Sequence, residues 1–145
     1  MYKAVIIYDS RKGHTESIAR SIEQGLRDAG VDVTMKKATG ATAKDLSEAD
    51  ALVLGSPTYH GEMMASIRAF LFEMEKADVR GKVGAAFGSY GWSGEAVPRM
   101  TETMKHVYEM NVVEPGLNVL ERQSDPNICR EFGKKIAESA QQRRK

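Results

Sequence analysis

Apolar positions along the chain alternate between two rhythms. Lys3 to Tyr8 (KAVIIY) is a short, nearly continuous apolar run and predicts a strand. From Thr15 to Ala29 the apolar residues Ile18, Ile22 and Leu26 recur every four positions, which predicts a helix closed by Gly30 as a left-handed cap. A second strand is expected at Asp32 to Lys36, then a short helix or turn at Ala43 to Ser47. Ala51-Leu52-Val53-Leu54-Gly55 is apolar throughout, as a strand covered on both faces requires. A helix over Ala65 to Glu75 turns Ile67, Phe70, Leu71 and Met74 inward, and a strand follows from Lys82 to Gly88. The next helix begins near Gly94 with the stripe Val97, Met100, Met104 and Val107. A strand around Val112-Val113 is interrupted near Pro115-Gly116 and resumes at Leu117 to Leu120. The last helix opens at Asp125-Pro126, an N-cap followed by proline at the first helical position. Its predicted inward face is Ile128, Cys129, Phe132, Ile136 and Ala140, and from about Gln141 it is expected to fray into a basic tail.

Five strands and about five helices in alternation predict an α/β three-layer sandwich, a parallel sheet with helices on both faces. Right-handed crossovers and this element order favour the strand order 2-1-3-4-5, with a ligand crevice at the carboxyl ends of strands 1 and 3. The 145 residues suit one domain, taken as 1–145, with one core. No linker, repeat or low-complexity segment interrupts it.

Composition narrows the function. Formal net charge is +1, and without the cations Arg143, Arg144 and Lys145 the remaining 18 basic and 20 acidic residues give −2. A body this close to neutral gives no support to nucleic-acid binding. No apolar run approaches the roughly 18 residues a membrane helix needs, and none resembles a signal peptide, so no membrane insertion and a cytoplasmic location are expected. The single cysteine, Cys129, excludes an internal disulfide and reads as a small buried thiol. His14, His60 and His106 have no metal-binding spacing, so no metal site is assigned.

Three loops carry the candidate chemistry, and the predicted topology opens all of them at one edge of the sheet. After strand 1 comes Ser10-Arg11-Lys12-Gly13-His14-Thr15, small, basic and hydroxylic, leading straight into a helix. A helix N-terminus presents unpaired N–H groups and partial positive charge, so this loop suits an anion such as phosphate. It is neither a Walker loop nor GxGxxG. After strand 3 comes Pro57-Thr58-Tyr59-His60-Gly61-Glu62, and after strand 4 comes Ser89-Tyr90-Gly91-Trp92-Ser93-Gly94-Glu95. Glycine lets backbone approach a flat ligand and aromatic faces stack on it. Phosphate at the first loop and a planar ring between the other two describe a flavin mononucleotide, FMN.

With these motifs in place, the chain resembles the flavodoxin family over essentially its whole length. Ser10 to Thr15 is similar to the family's phosphate loop, departing from it with Lys12 for a hydroxyl residue and His14 for asparagine. The run Gly81 to Ala96 and the segment Val113 to Leu117 resemble the flavin domain of flavodiiron proteins, here without room for the diiron domain. The resemblance implies noncovalent FMN and one-electron traffic between redox partner proteins, by a monomer with no catalytic residue of its own. It implies phosphate contacts from Ser10, Arg11, Lys12, Gly13, His14 and Thr15. Pro57, Thr58, Tyr59, His60 and Gly61 would lie on one side of the ring, and Ser89, Tyr90, Gly91, Trp92 and Gly94 on the other, with Trp92 or Tyr90 stacking. It also implies that a peptide beside Gly61 turns on reduction and stabilises a neutral semiquinone. Asp9, Glu62 and Glu95 are candidates for charge that tunes the second electron.

A rival reading is a small NAD(P)H-dependent FMN quinone or flavin reductase. Pro57-Thr58-Tyr59-His60-Gly61-Glu62-Met63 resembles a loop of the tryptophan-repressor-binding-protein type of quinone reductase. No insertion that would build a nicotinamide pocket is evident, and the carrier is preferred.

Overall fold

The computed structural model describes residues 2–143. Its strands are β1 (Lys3–Tyr8), β2 (Asp32–Lys37), β3 (Ala51–Gly55), β4 (Val83–Tyr90), β5 (Asn111–Val112) and β6 (Leu117–Leu120). The helices are α1 (His14–Asp28), α2 (Ala65–Glu73), α3 (Ala96–Glu102) and α4 (Pro126–Arg143). Every strand pair is parallel and the order is β2-β1-β3-β4-β5, with β6 also on β4. The expected doubly wound order is therefore present. Its fifth strand is divided into β5 and β6, which flank a cis Glu114–Pro115 bond and share the outer edge of β4.

Strand alternation divides the apolar residues between two faces. Ala4, Ile6, Tyr8, Val53 and Phe87 face α1 and α4, meeting Ile18, Ile22, Leu26, Phe132 and Ile136. Val5, Ile7, Leu52, Leu54 and Ala86 face α2 and α3, meeting Ile67, Phe70, Met74, Met100 and Met104. Cys129 is buried in the first of these layers, and burial pushes its thiol pKa up.

The Ala43–Leu46 segment, expected as a short helix or turn, is a single 3-10 turn, which leaves four α-helices among the described residues. Three details differ from the sequence expectation. Val107 lies outside the stripe predicted for it and is 64% exposed. The cause is local: α3 widens into a π turn over Thr103–Val107, and the smaller angular step per residue of that wider turn carries Val107 off the line of Met100 and Met104. Ile128 is also exposed, at 56%, because the first turn of α4 overhangs the sheet edge beside Pro115, Gly116 and Leu117. Instead of fraying at Gln141, α4 continues to Arg143, while Arg144 and Lys145 of the basic tail lie outside the described residues. No helix of the described residues is long and apolar enough to cross a membrane.

Candidate cofactor site

The strand ends bring the loops together. Tyr8 pairs with Gly55 and Gly55 with Phe87, so β1 and β3 stop level with each other, while β4 runs on to Tyr90 beside Leu120. The loops that follow enclose a cleft of about 310 Å³. Its lining includes Ser10, Arg11, Lys12, His14 and Thr15 from the first loop. Pro57, Thr58, Tyr59 and His60 come from the second, and Ser89, Gly91 and Trp92 from the third.

At one end, Gly13 is the N-cap of α1 in the left-handed region (φ 91°), and no side chain among the described residues caps this helix. Its first N–H groups therefore remain available, with Arg11 and Lys12 beside them. Ser10 Oγ accepts a hydrogen bond from the Gly13 N–H at 3.0 Å, which closes the loop and leaves the hydroxyl proton free to donate. The Thr15 hydroxyl is committed elsewhere: it is buried and lies 2.9 Å from Ser89 Oγ, bracing the first loop against the third. Asp9 braces the same loop, accepting from the Ser10 N–H at 2.8 Å and from Ser66 Oγ at 2.7 Å.

The other end is aromatic. The Arg11 guanidinium lies 3.7 Å from the centroid of Tyr59, a cation–π contact between two loops. Tyr59 meets His60 edge to face at 4.2 Å. Across the cleft Trp92 is 96% exposed and packs into neither apolar layer. A tight turn underlies Tyr59: its N–H and C=O exchange hydrogen bonds with Glu62 at 2.8 and 3.0 Å, and His60 (φ 51°) and Gly61 (φ 75°) both have positive φ. A left-handed conformation costs a residue with a Cβ roughly 1–2 kcal/mol, so His60 is strained where Gly61 is not.

Four of the sixteen expected residues do not line this cleft. Gly13 and Gly61 shape its loops through their positive φ, and Gly13 lines an adjoining pocket with Lys12, His14, Ser89 and Glu121. Tyr90 continues β4, and alternation turns its side chain away from the side that Ser89 takes. Gly94 is a packing glycine, since a Cβ there would come within 2.2 Å of Asn118 Nδ2. Nor do the carboxylates nominated to tune charge line the cleft: Asp9 is a brace, and Glu62 and Glu95 face a different groove. The carboxylate that does line it is Glu121, with Oε2 at 3.9 Å from His14 Nε2. Glu121 directly follows the last residue of β6, and that strand-end position was the signal available in the sequence. Among the described residues no group of three or more His, Cys, Asp or Glu is arranged to hold a metal ion.

Fold and cleft together define a doubly wound α/β protein with its ligand site at the carboxyl ends of the strands. A model of the flavodoxin family matches residues 6–133, and the chain belongs to that family. The type A flavoprotein fprA of Rhodobacter capsulatus is 37% identical over 141 residues, which cover 92% of this chain and 32% of that protein. The nitric oxide reductase of Moorella thermoacetica is 33% identical over 141 residues, covering 93% of this chain and 35% of that one. The chain thus spans about a third of the length of these curated relatives. A solved flavodoxin from the domain Archaea superposes with a TM-score of 0.91 at 35% identity, covering 96% of this chain and 99% of that one.

FMN is the cofactor of the flavodoxin family and of its flavodiiron relatives. The residues here fit it. Uncapped N–H groups, a donating hydroxyl and Lys12 at one end suit a phosphate, Arg11 reaches across to the Tyr59 ring, and the rings of Tyr59 and Trp92 at the other end suit a flat heterocycle.

Proposed function

We propose that the cleft binds FMN noncovalently and that the chain, as a monomer, carries electrons between redox partner proteins. The observation that carries this reading is the polarity of this cleft: basic, uncapped helix terminus at one end, exposed aromatic rings at the other. The amides of His14 and Thr15, the Ser10 hydroxyl, Arg11 and Lys12 would hold the phosphate. Tyr59, His60 and Trp92 would flank the ring, and Ser89, braced by Thr15, would fix the loop that carries Trp92. Bound FMN would supply one- and two-electron redox chemistry. The protein's share would be to hold the ring at an exposed edge, keep water from its faces and set Glu121 as the carboxylate of the cleft lining. The His60–Gly61 turn adds a backbone segment that can reorient at little cost, because both ends are pinned by the Tyr59–Glu62 hydrogen bonds while Gly61 tolerates either sign of φ.

An absorption spectrum of the purified protein, followed by anaerobic potentiometric reduction, tests the reading. Flavin bands and two separated one-electron potentials are expected. A single two-electron wave with steady NAD(P)H oxidation in the presence of quinone would turn the reading into that of a reductase. No flavin uptake on adding FMN would overturn it.

A further inference from the structure

Helices α2 and α3 do not close over their face of the sheet. Between them lies a groove of about 690 Å³, more than twice the cofactor cleft. Its walls include Leu71, Phe72, Val107 and Tyr108, and two of these apolar side chains stand out in solvent: Phe72 at 67% and Val107 at 64% exposed. The π turn of α3 is what sends Val107 there, and such turns recur at functional positions. The Tyr108 hydroxyl donates to the Leu71 carbonyl, which fixes the groove floor between the two helices.

The rim is acidic. Four carboxylates line the groove, Glu62, Glu75, Glu95 and Glu102, against the two guanidinium groups of Arg68 and Arg99. Both arginines pair with Glu62, Arg99 at 2.9 Å, so neither neutralises the other three. His106 approaches Glu102 at 3.3 Å, Glu95 accepts from Ser93 Oγ at 3.1 Å, and Glu75 has no Lys or Arg partner among the described residues. The lining is therefore net negative in a protein whose formal net charge is +1. Glu62 and Glu95 belong to the two loops whose other members, His60 and Trp92, line the cofactor cleft. A body seated in the groove would rest against the back of both loops.

We propose that this groove is the docking site of a redox partner protein, which inserts an apolar side chain between Phe72 and Val107 and flanks it with lysines or arginines that meet Glu75, Glu95 and Glu102. That the partner is a redox protein rests on the carrier reading above; the shape and charge of the groove do not. Charge argues against a second copy of this chain as the occupant, because self-association through the groove would set one negative lining against another.

The test uses the full chain as purified, isotopically labelled, and two synthetic helical peptides: leucines on one face with lysines on the other, and the same peptide with glutamates for lysines. The lysine peptide is expected to perturb amide resonances of residues 62–75 and 95–108, with affinity falling as salt is raised. The glutamate peptide is expected to bind at least about tenfold more weakly. The double variant Phe72→Ser/Val107→Ser should weaken the lysine peptide by about tenfold or more, and Glu75→Lys/Glu102→Lys should do the same if the apolar variant folds poorly. Equal binding of the two peptides, or perturbations confined to other segments, would overturn the proposal. Sedimentation showing a dimer that Phe72→Ser dissociates would also overturn it and assign the groove to a second copy. Failure to take up FMN would sink the carrier reading while leaving this titration interpretable.

Discussion

The two faces of the sheet receive the same kind of apolar strand residues, yet their helices meet differently. On one face α1 and α4 cross at backbone contact: a Cβ on Gly25 would lie 2.1 Å from the Arg130 carbonyl oxygen, and one on Gly133 would lie 2.4 Å from that of Ile22. On the other face α2 and α3 part around the groove and leave Phe72 and Val107 uncovered. Both faces are apolar where they touch the sheet, so burial alone does not explain the contrast. The closed face has small residues at the crossing, which let two helices approach as one layer. The open face has large side chains and a widened turn at the same depth. The first arrangement suits a scaffold that holds the start of α1 still, and the second suits a surface that another molecule completes.

The contrast can be broken most severely at the crossing. Gly25→Ala should destabilise the protein by about 1–3 kcal/mol or more, read from a urea melt, because the methyl group meets backbone that cannot rotate away. A smaller effect follows from the one thiol on that face. Burial raises the pKa of Cys129, so the unfolded chain gives up this proton first as pH rises. Its contribution is present in full at neutral pH and is lost above the ordinary thiol value, at no more than about 1.4 kcal/mol per pH unit. Melts of the wild type and of Cys129→Ala across alkaline pH should therefore converge, and parallel curves would argue that the face is not sealed. On the open face Phe72→Ser/Val107→Ser should change stability by no more than about 0.5 kcal/mol, since neither side chain is in the core. A loss of several kcal/mol would mean that the groove is a cavity of the fold rather than a surface.

The fold was legible in the sequence because strand and helix rhythms are clean: the runs at Ala4–Tyr8 and Ala51–Gly55 and the four-residue spacing of Ile18, Ile22 and Leu26 leave little choice. The loops of the cleft were legible for a related reason, as topology alone sends the segments after strands 1, 3 and 4 to one edge. Where the reading failed, a tertiary feature intervened. Val107 kept an ideal helical phase in the sequence and lost it to a π turn. Ile128 sat on the correct stripe of a helix whose first turn overhangs the sheet. Gly94 looked like ligand clearance and serves Asn118. Glu121 was missed because its loop carries no glycine or aromatic signal, only a place at a strand end.

Trp92 is the sole tryptophan of the chain, it stands at the lip of the cleft, and it is almost fully exposed. The protein therefore carries a native optical probe at its own site. Indole emission from this chain comes from one address, and its colour and brightness follow whatever enters the cleft beside it, with no label attached and no other tryptophan to subtract.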